Sequence, residues 1–278
     1  MPKAVKAKPA KAFKATRVQA STAPVTAATE RVSSGIYGLD TLIEGGFPKN
    51  RNILVSGACG TGKTIFVMQY LCRGATEYGD KGVYVTLDER PDHVRQDMLR
   101  FGWDLQKLEN QGMIAIIDAS AAKIGAPSEE KYALPQVGID VDRLLIRVIQ
   151  ICEQIGATRL VIDSVAGLGM RIGSEEEVRK TILKINTLLS TAKVSAVITS
   201  EIPEQAFGSG PMQFSKYGVE EYVADGVIIL HYLGIGAESN RSLFVRKMRG
   251  TKHVEDILPM EITKKGLVVK KPEEIYKT

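Results

Sequence analysis

Cysteine, long apolar runs and metal-ligand patterns are scarce in this 278-residue chain. Its three cysteines, Cys59, Cys72 and Cys152, are an odd number without the paired spacing of a zinc site, which favours a reducing cytoplasm over a disulfide framework. No apolar run approaches the roughly 20 residues that span a bilayer. The N-terminus also lacks the apolar core of a secretory signal. These absences predict a cytoplasmic protein with no membrane partner.

Positive charge is concentrated at the N-terminus. Residues 1–31 contain seven basic residues and one acidic residue, which gives this segment a net charge of +6. The whole chain has a net charge of +5, so the other 247 residues together carry −1. This Lys/Ala-rich segment has almost no aromatic residues and no core-forming period, which predicts a disordered basic tail. The tail either contacts an acidic partner such as nucleic acid or is a solvated leader without a specific role. We predict one folded domain over 32–278.

The folded part alternates between strand-like and helix-like patterns. Strand-like runs lie at 52–56, 82–87, 113–117, 159–162, 194–199 and 226–231, and helix-like stretches at 63–78, 91–109, 138–155 and 174–192. This alternation predicts an α/β fold with a mainly parallel sheet covered by helices. Later strand-like runs without helices, at 243–247, 257–262 and 267–269, predict antiparallel strands that extend one edge. Ala, Ser, Gly and Pro predict long loops at 119–137 and 202–219.

A glycine-rich motif between a strand and a helix predicts a nucleotide site. Residues 57–64 read Gly-Ala-Cys-Gly-Thr-Gly-Lys-Thr, the Walker A pattern of a phosphate-binding loop, or P-loop. Its backbone N–H groups cradle phosphates, Lys63 reaches the β- and γ-phosphates, and the Thr64 hydroxyl binds Mg²⁺. We therefore predict ATP as the ligand, contacted by Gly57, Cys59, Gly60, Thr61, Gly62, Lys63, Thr64 and Ile65.

Two strand ends offer the carboxylates that such a site needs. Residues 159–162, Arg-Leu-Val-Ile, are a strand-like run that ends at Asp163, which we predict to hold Mg²⁺ through water together with Thr64. The competing interpretation of Asp163 is a helix N-cap. Residues 83–87 end at Asp88 and Glu89, and one of these acids is predicted to orient the attacking water, because open α/β sheets bind ligands at this edge. The alternative is a polar strand-to-helix turn.

A basic cluster at 245–253 is a candidate for stabilising the charge that develops on the γ-phosphate. Lys247 and Arg249 are two residues apart, so on a strand they face the same side. Arg suits bidentate contact with phosphate, and Lys acts as a point charge. The alternative is a solvated basic edge of the sheet.

Several segments together resemble the KaiC branch of the RecA/RadA ATPases. The lead-in at 33–48 follows the pattern S-x-G-x-x-x-L-D-x-L-x-x-G-G-x-P, and Phe-Gly-Trp-Asp-Leu at 101–105 and Lys-Met-Arg-Gly-Thr at 247–251 are signatures of that branch. The resemblance covers 32–270. It implies a RecA-like fold and a hexameric ring with ATP between subunits.

The resemblance also implies roles for individual residues. Lys247 and Arg249 are expected to act on the nucleotide of the neighbouring subunit. The other residues expected near the nucleotide are Arg100 and Phe101, beside the adenine, and Met248, Thr251 and His253. The family commonly has a Glu-Glu pair where this chain has Asp88 and Glu89. Asp88 is one methylene shorter, so whether its carboxylate reaches the attacking water is an open question. The KaiC branch includes the cyanobacterial clock protein, which is phosphorylated on a Ser and a Thr. Glu221 and Tyr222 occupy those two positions here, which predicts no autokinase activity there.

These observations predict a slow, Mg²⁺-dependent ATPase that serves signalling or regulation with protein partners. One alternative is a DNA-acting RecA/RadA relative, which is disfavoured because Lys216 is the only basic residue in 202–219. Another is an ATP-gated scaffold with little hydrolysis. The patterns leave open the pathway, the partner and whether the ring forms only on ATP binding.

Overall fold

The computed structural model describes residues 29–121, 127–133, 141–170, 174–203, 213–232 and 241–270. The strands are β1 (Arg31–Val32), β2 (Phe47–Pro48), β3 (Asn52–Gly57), β4 (Gly82–Thr86), β5 (Ile114–Asp118), β6 (Arg159–Asp163), β7 (Ser195–Glu201), β8 (Gly226–Tyr232), β9 (Arg241–Met248), β10 (Leu258–Thr263) and β11 (Gly266–Val269). The α-helices are α1 (Lys63–Glu77), α2 (Pro91–Leu99), α3 (Leu105–Asn110), α4 (Val141–Ile155), α5 (Glu175–Thr191) and α6 (Glu220–Val223). Short 3₁₀ turns lie at Asp40–Leu42 and Val165–Met170.

Nine strands form one sheet in the order β11-β10-β9-β8-β3-β7-β6-β4-β5. The six strands from β8 to β5 in this order run parallel, and β9, β10 and β11 continue the sheet in antiparallel fashion. The predicted fold class is therefore confirmed, including the antiparallel extension at the C-terminal end. A separate two-stranded ribbon pairs β1 with β2.

The two faces of the sheet carry separate apolar clusters. Tyr84 and Val161 pack with the buried residues of α1. Their neighbours Val83 and Leu160 lie in a second cluster with α4 and α5. This division follows from the strand period of two, which sends successive side chains to opposite faces. The parallel strands are apolar on both faces because helices cover both sides.

The predicted continuous helix over 91–109 is wrong, because the chain forms two helices there. Gly102 has a φ of +79°, in the left-handed region that ends a helix. The Asp104 side chain then accepts a hydrogen bond from the Lys107 N–H and caps α3. Phe101 and Trp103 stack on each other across this turn, with ring centroids 5.0 Å apart. Apolar periodicity continues across the break, so it conceals the turn.

Some predictions fall wholly or partly outside the described residues. The tail over 1–31 is described only at residues 29–31, of which Arg31 belongs to β1. Residues 138–140, at the start of a predicted helix, are also outside the described ranges. So are residues 122–126 and 134–137 of the predicted loop at 119–137, and residues 204–212 of the predicted loop at 202–219. Within the described ranges, no helix is both long and apolar enough to cross a bilayer.

Candidate nucleotide site

The carboxyl ends of four parallel strands meet at one edge of the sheet. Gly57 at the end of β3 pairs with Glu201 at the end of β7, and Thr86 at the end of β4 pairs with Asp163 at the end of β6. Ligands bind at this edge in open α/β sheets. A cavity of about 620 Å³ opens there. Ten predicted site residues line it: Cys59, Gly60, Gly62, Lys63, Thr64, Ile65, Asp88, Glu89, Arg100 and Asp163.

The loop between β3 and α1 has the geometry of a phosphate cradle. Gly60 and Gly62 have φ values of +74° and +102°, and Gly62 stands at the N-cap of α1. A Cβ at Gly57 would lie 2.5 Å from the Leu230 carbonyl oxygen, so only glycine fits there. The N-terminus of α1 supplies the oriented N–H groups and partial positive charge that favour an anion. Thr61 is buried and donates to the Ala58 carbonyl.

The ammonium group of Lys63 is held inside the loop. Its Nζ donates to the carbonyl oxygens of Gly57 and Ala58 at 2.9 and 3.0 Å. Burial lowers the pKa of Lys63, and the nearby carboxylates of Glu201 and Asp163 oppose that shift. A polyphosphate would supply the full negative charge that the two carbonyl dipoles only partly replace.

Thr64 and Asp163 form a donor set that fits Mg²⁺. The Thr64 hydroxyl donates to Asp163 Oδ2 at 2.9 Å, so the hydroxyl and carboxylate oxygens lie side by side. Hard oxygen ligands suit Mg²⁺, which keeps several waters and commonly binds through few protein groups plus substrate phosphates. The described residues contain no cluster of three or more His, Cys, Asp or Glu that could enclose a metal.

The adjacent acids after β4 have different surroundings. Asp88 accepts a hydrogen bond from Ser164 Oγ at 2.8 Å, so it ties this turn to the end of β6. Glu89 lines the cavity half-buried, and within the described ranges no side chain donates to its carboxylate. Burial, followed by the charges of Asp163 and Asp97, raises the pKa of Glu89. A carboxylate of raised pKa that faces a polar cavity is typical of a general base.

Four further residues line the cavity that sequence reasoning missed: Ser164, Glu201, Arg241 and Ile262. Arg241 begins β9, pairs with Tyr232 at the end of β8, and approaches the Gly60 carbonyl with its Nη2 at 3.5 Å. Its guanidinium lies 4.0 Å from the Tyr232 ring centroid, and its buried Nε has no hydrogen-bond partner in the described part of the chain. The available signal was the direction of β9, since an antiparallel strand after β8 must start at the P-loop edge.

Lys247 and Arg249 do not join this cavity. Lys247 lies six residues after Arg241 on β9, a distance of about 20 Å along a strand. Its Nζ donates to the Glu221, Tyr222 and Ala224 carbonyls at the end of α6, the shortest contact being 2.6 Å to Ala224. Burial lowers the pKa of Lys247, and the charge of Arg249 adds to this effect. Arg249 pairs with Asp225 of its own chain at 3.6 Å.

The remaining predicted residues also lie outside the cavity lining. Phe101 and Met248 are buried in the apolar cluster on the α1 side of the sheet. The Thr251 hydroxyl accepts a hydrogen bond from Arg31 Nη1 at 2.6 Å. His253 Nδ1 lies 3.2 Å from the Val254 carbonyl oxygen. The structure thus brings together the P-loop, Asp163 and the acidic pair, and it holds the basic cluster apart from them.

Comparison with known proteins agrees with this geometry. The family model of the KaiC ATPases matches residues 32–274. A UPF0273 protein of Methanocaldococcus jannaschii is 40% identical over 252 residues, which cover 89% of this chain and 99% of that protein. The circadian clock oscillator protein KaiC of Parathermosynechococcus lividus is 35% identical over 234 residues, 84% of this chain and 41% of that protein.

A solved structure carries the same fold. The crystal structure of a KaiC-like protein from Pyrococcus horikoshii matches with a TM-score of 0.74 and 39% identity, over 87% of this chain and all of that one. The family match covers the P-loop, the acidic pair, Asp163 and the basic cluster alike. The chain therefore belongs to the KaiC family of ATPases and has the RecA-like fold.

Proposed function

We propose that the protein is a slow, Mg²⁺-dependent ATPase that acts as a regulatory component, with ATP bound between the subunits of a hexameric ring. The P-loop and Lys63 hold the phosphates, and Arg241 approaches the same loop from β9. Thr64 and Asp163 hold Mg²⁺, which neutralises phosphate charge when bound. Arg100 lines the cavity and is available to the base or ribose.

Within this proposal Glu89, rather than Asp88, orients the attacking water. Asp88 is exposed, but its carboxylate accepts a hydrogen bond from Ser164 Oγ at 2.8 Å, and a Cβ at Gly167 would lie 2.6 Å from Asp88 Oδ1, so one side of the carboxylate is held against the loop after β6. Glu89 also lines the cavity but is more buried than Asp88, and its pKa is raised by burial first and then by the charges of Asp163 and Asp97. In this proposal the shorter side chain at position 88 links the turn after β4 to the loop after β6, and the protein retains hydrolysis because Glu89 is intact.

The proposed ATP site is composite, because one subunit supplies the P-loop and the acidic pair and the neighbouring subunit supplies Lys247 and Arg249. The direction of β9 is the observation that supports this composite site. It places Arg241 beside the chain's own P-loop and Lys247 about 20 Å away at the opposite end of the same strand. Lys247 and Arg249 then reach a γ-phosphate only if a neighbouring subunit presents one. A repeated head-to-tail contact of this kind forms a ring when its rotation closes, so it is compatible with the proposed hexamer.

Mixing two inactive variants tests the composite site. Glu89→Gln retains the basic cluster, and Arg249→Ala retains the acidic pair. In an equal mixture about one interface in four combines an intact Glu89 with an intact Arg249, so the ATPase rate per chain should recover to about a quarter of the wild-type rate. The wild-type rate per chain should also rise with protein concentration and then saturate.

The double variant Glu89→Gln/Arg249→Ala is the matched control, because mixing it with either single variant creates no complete interface of this kind. Recovery in the Glu89→Gln plus Arg249→Ala mixture alone supports the proposal. The composite site would be contradicted if the mixture were as inactive as its components and the wild-type rate per chain were independent of dilution. Arg249 would then have no part in the reaction.

We also propose that the ATPase transfers no phosphate to its own residues 221 and 222. Glu221 has no hydroxyl group, and its carboxylate accepts a hydrogen bond from Ser215 Oγ. Tyr222 is 73% exposed on α6, whose carbonyls engage Lys247. Incubation with γ-labelled ATP and Mg²⁺ should leave residues 221 and 222 unlabelled while phosphate is released. Label located at Tyr222 by mass spectrometry would contradict this prediction.

A further inference from the structure

Tyr84 places a phenol group against the proposed metal-binding carboxylate. It lies in the middle of β4, fully buried, and its hydroxyl donates to Asp163 Oδ2 at 3.0 Å. The register pairs Thr86 with Asp163 and Tyr84 with Val161, so Tyr84 is the diagonal neighbour of Asp163 on the α1 face of the sheet. Long aromatic side chains reach across such diagonals. The pairing of β4 with β6 therefore aims the phenol at the carboxylate.

The Asp163 carboxylate is held from three directions. Oδ2 accepts hydrogen bonds from Thr64 Oγ1 at 2.9 Å and from Tyr84, and Oδ1 accepts one from Thr199 Oγ1 on β7. Thr64 is the hydroxyl expected to turn toward Mg²⁺ when the ion binds, which weakens its hold on the carboxylate. Tyr84 and Thr199 would then be the groups on the two neighbouring strands that keep the plane of the carboxylate fixed.

The hydroxyl group of Tyr84 has no packing role that a phenylalanine would not fill. The ring packs in the apolar cluster with α1 residues such as Phe66 and Val67. A buried phenol hydroxyl needs a partner, because an unpaired polar group in the interior costs about 1–3 kcal/mol. Here that partner is the carboxylate that faces the nucleotide cavity, so the polar atom acts on the site.

We propose that Tyr84 is a positioning residue, which orients the Asp163 carboxylate toward the hydration shell of the nucleotide-bound Mg²⁺. This inference rests on the proposed function and assigns to the site a residue outside its cavity lining. Residues that orient a metal ligand through a hydrogen bond commonly change metal affinity by about 10–100-fold when they are lost. Mg²⁺ keeps several waters and contacts few protein groups directly, so Asp163 can act through a bound water and the lower end of that range applies.

The test measures Mg²⁺ dependence of ATP binding by Tyr84→Phe, which removes only the hydroxyl. The midpoint of a Mg²⁺ titration, followed through ATP-dependent thermal stabilisation of the full chain, should rise about 10-fold. ATP affinity in the presence of EDTA should stay as in the wild type, because the P-loop is untouched. These binding readouts do not depend on turnover.

Tyr70→Phe is the matched control. Tyr70 is also fully buried, and its hydroxyl donates to the Ser195 carbonyl at 2.9 Å, without contact with Asp163. Its Mg²⁺ midpoint should equal that of the wild type. Thr199→Val should raise the midpoint in the same direction as Tyr84→Phe, and Thr199→Ser should restore it. This second pair of variants tests the same carboxylate from the other neighbouring strand.

The outcomes separate this inference from the proposed function. If ATP binding by the wild type depends on Mg²⁺ but the Mg²⁺ midpoint of Tyr84→Phe equals that of the wild type, the role of Tyr84 is overturned and the ATPase proposal stays intact. An equal shift in Tyr70→Phe would also overturn it, because the effect would then be a general loss of a buried hydroxyl. If ATP binding by the wild type is independent of Mg²⁺, both proposals are overturned.

Discussion

Replacement of Glu89 by Gln is expected to lower the ATPase rate by about 10²–10⁴-fold, the usual contribution of a positioned general base. Glutamine keeps the length and shape of the side chain but cannot accept a proton. Because the P-loop, Thr64 and Asp163 are unchanged, the affinity for ATP·Mg²⁺ should remain within about two-fold. Single-turnover hydrolysis and equilibrium ATP binding, measured on the same preparation, provide the two values.

Asp88→Asn and Ser164→Ala are the matched controls for Glu89. Ser164→Ala removes the hydrogen bond between the β4 turn and the loop after β6, and Asp88→Asn weakens it by replacing the charged acceptor with a neutral amide oxygen. We therefore expect similar losses of rate from the two variants, both smaller than the loss from Glu89→Gln. Their similarity would identify Asp88 as a packing and positioning group. A loss from Asp88→Asn that exceeds the loss from Glu89→Gln would instead assign the base to Asp88.

Removal of the Asp80 carboxylate should produce the largest loss of stability among single ion-pair variants. Arg159 at the start of β6 is 1% exposed, and its guanidinium meets Asp80 Oδ2 at 2.9 and 2.7 Å. Asp80→Ala would leave this charge buried without its counter-ion, a change that costs about 3–5 kcal/mol. Urea unfolding followed by circular dichroism should show the lowered midpoint.

The surroundings of Arg159 explain why it cannot relax toward water. Its Nη1 donates to the carbonyls of Ser33 and Tyr70 at 2.9 and 2.8 Å, and the Tyr70 ring lies 4.5 Å from the guanidinium carbon. A Cβ at Gly74 would lie 2.4 Å from Arg159 Nε, so α1 packs directly on the group. The side chain thus joins the N-terminal segment, α1 and β6.

Glu176→Gln is the control for the Asp80 prediction. Glu176 pairs with Lys180 one helical turn away on α5, and both side chains are largely exposed. Exposed pairs of this type contribute about 0.3–0.5 kcal/mol. If the Asp80 variant were destabilised no more than the Glu176 variant, Arg159 would have to find a compensating partner, and the buried ion pair would not be the cause of stability.

The local parts of the site can be located from the order of amino acids alone. The P-loop at 57–64 is readable because the positive-φ glycines, the lysine and the helix that follows are consecutive in the chain. Asp163 and the acidic pair 88–89 are readable because each ends an apolar run. Such features depend on backbone preferences and on contacts within a few residues, which the order of amino acids encodes directly.

Local patterns were less informative where a turn interrupts a helix. The apolar spacing over 91–109 continues past Gly102, whose left-handed backbone divides α2 from α3. The glycine was visible in the sequence, but whether a glycine adopts positive φ depends on the packing around it. Here the stacking of Phe101 on Trp103 and the Asp104 cap favour the turn over a continued helix.

Which strands are neighbours follows from the folded chain as a whole. The order β3-β7-β6-β4 brings Glu201 beside Gly57 and Tyr84 diagonal to Asp163, and the antiparallel direction of β9 puts Arg241 at the cavity but Lys247 far from it. These pairings join residues up to about 180 positions apart, such as Arg241 and Gly60. Strand order is selected by the burial of both sheet faces at once, a sum over the whole chain that no local motif contains.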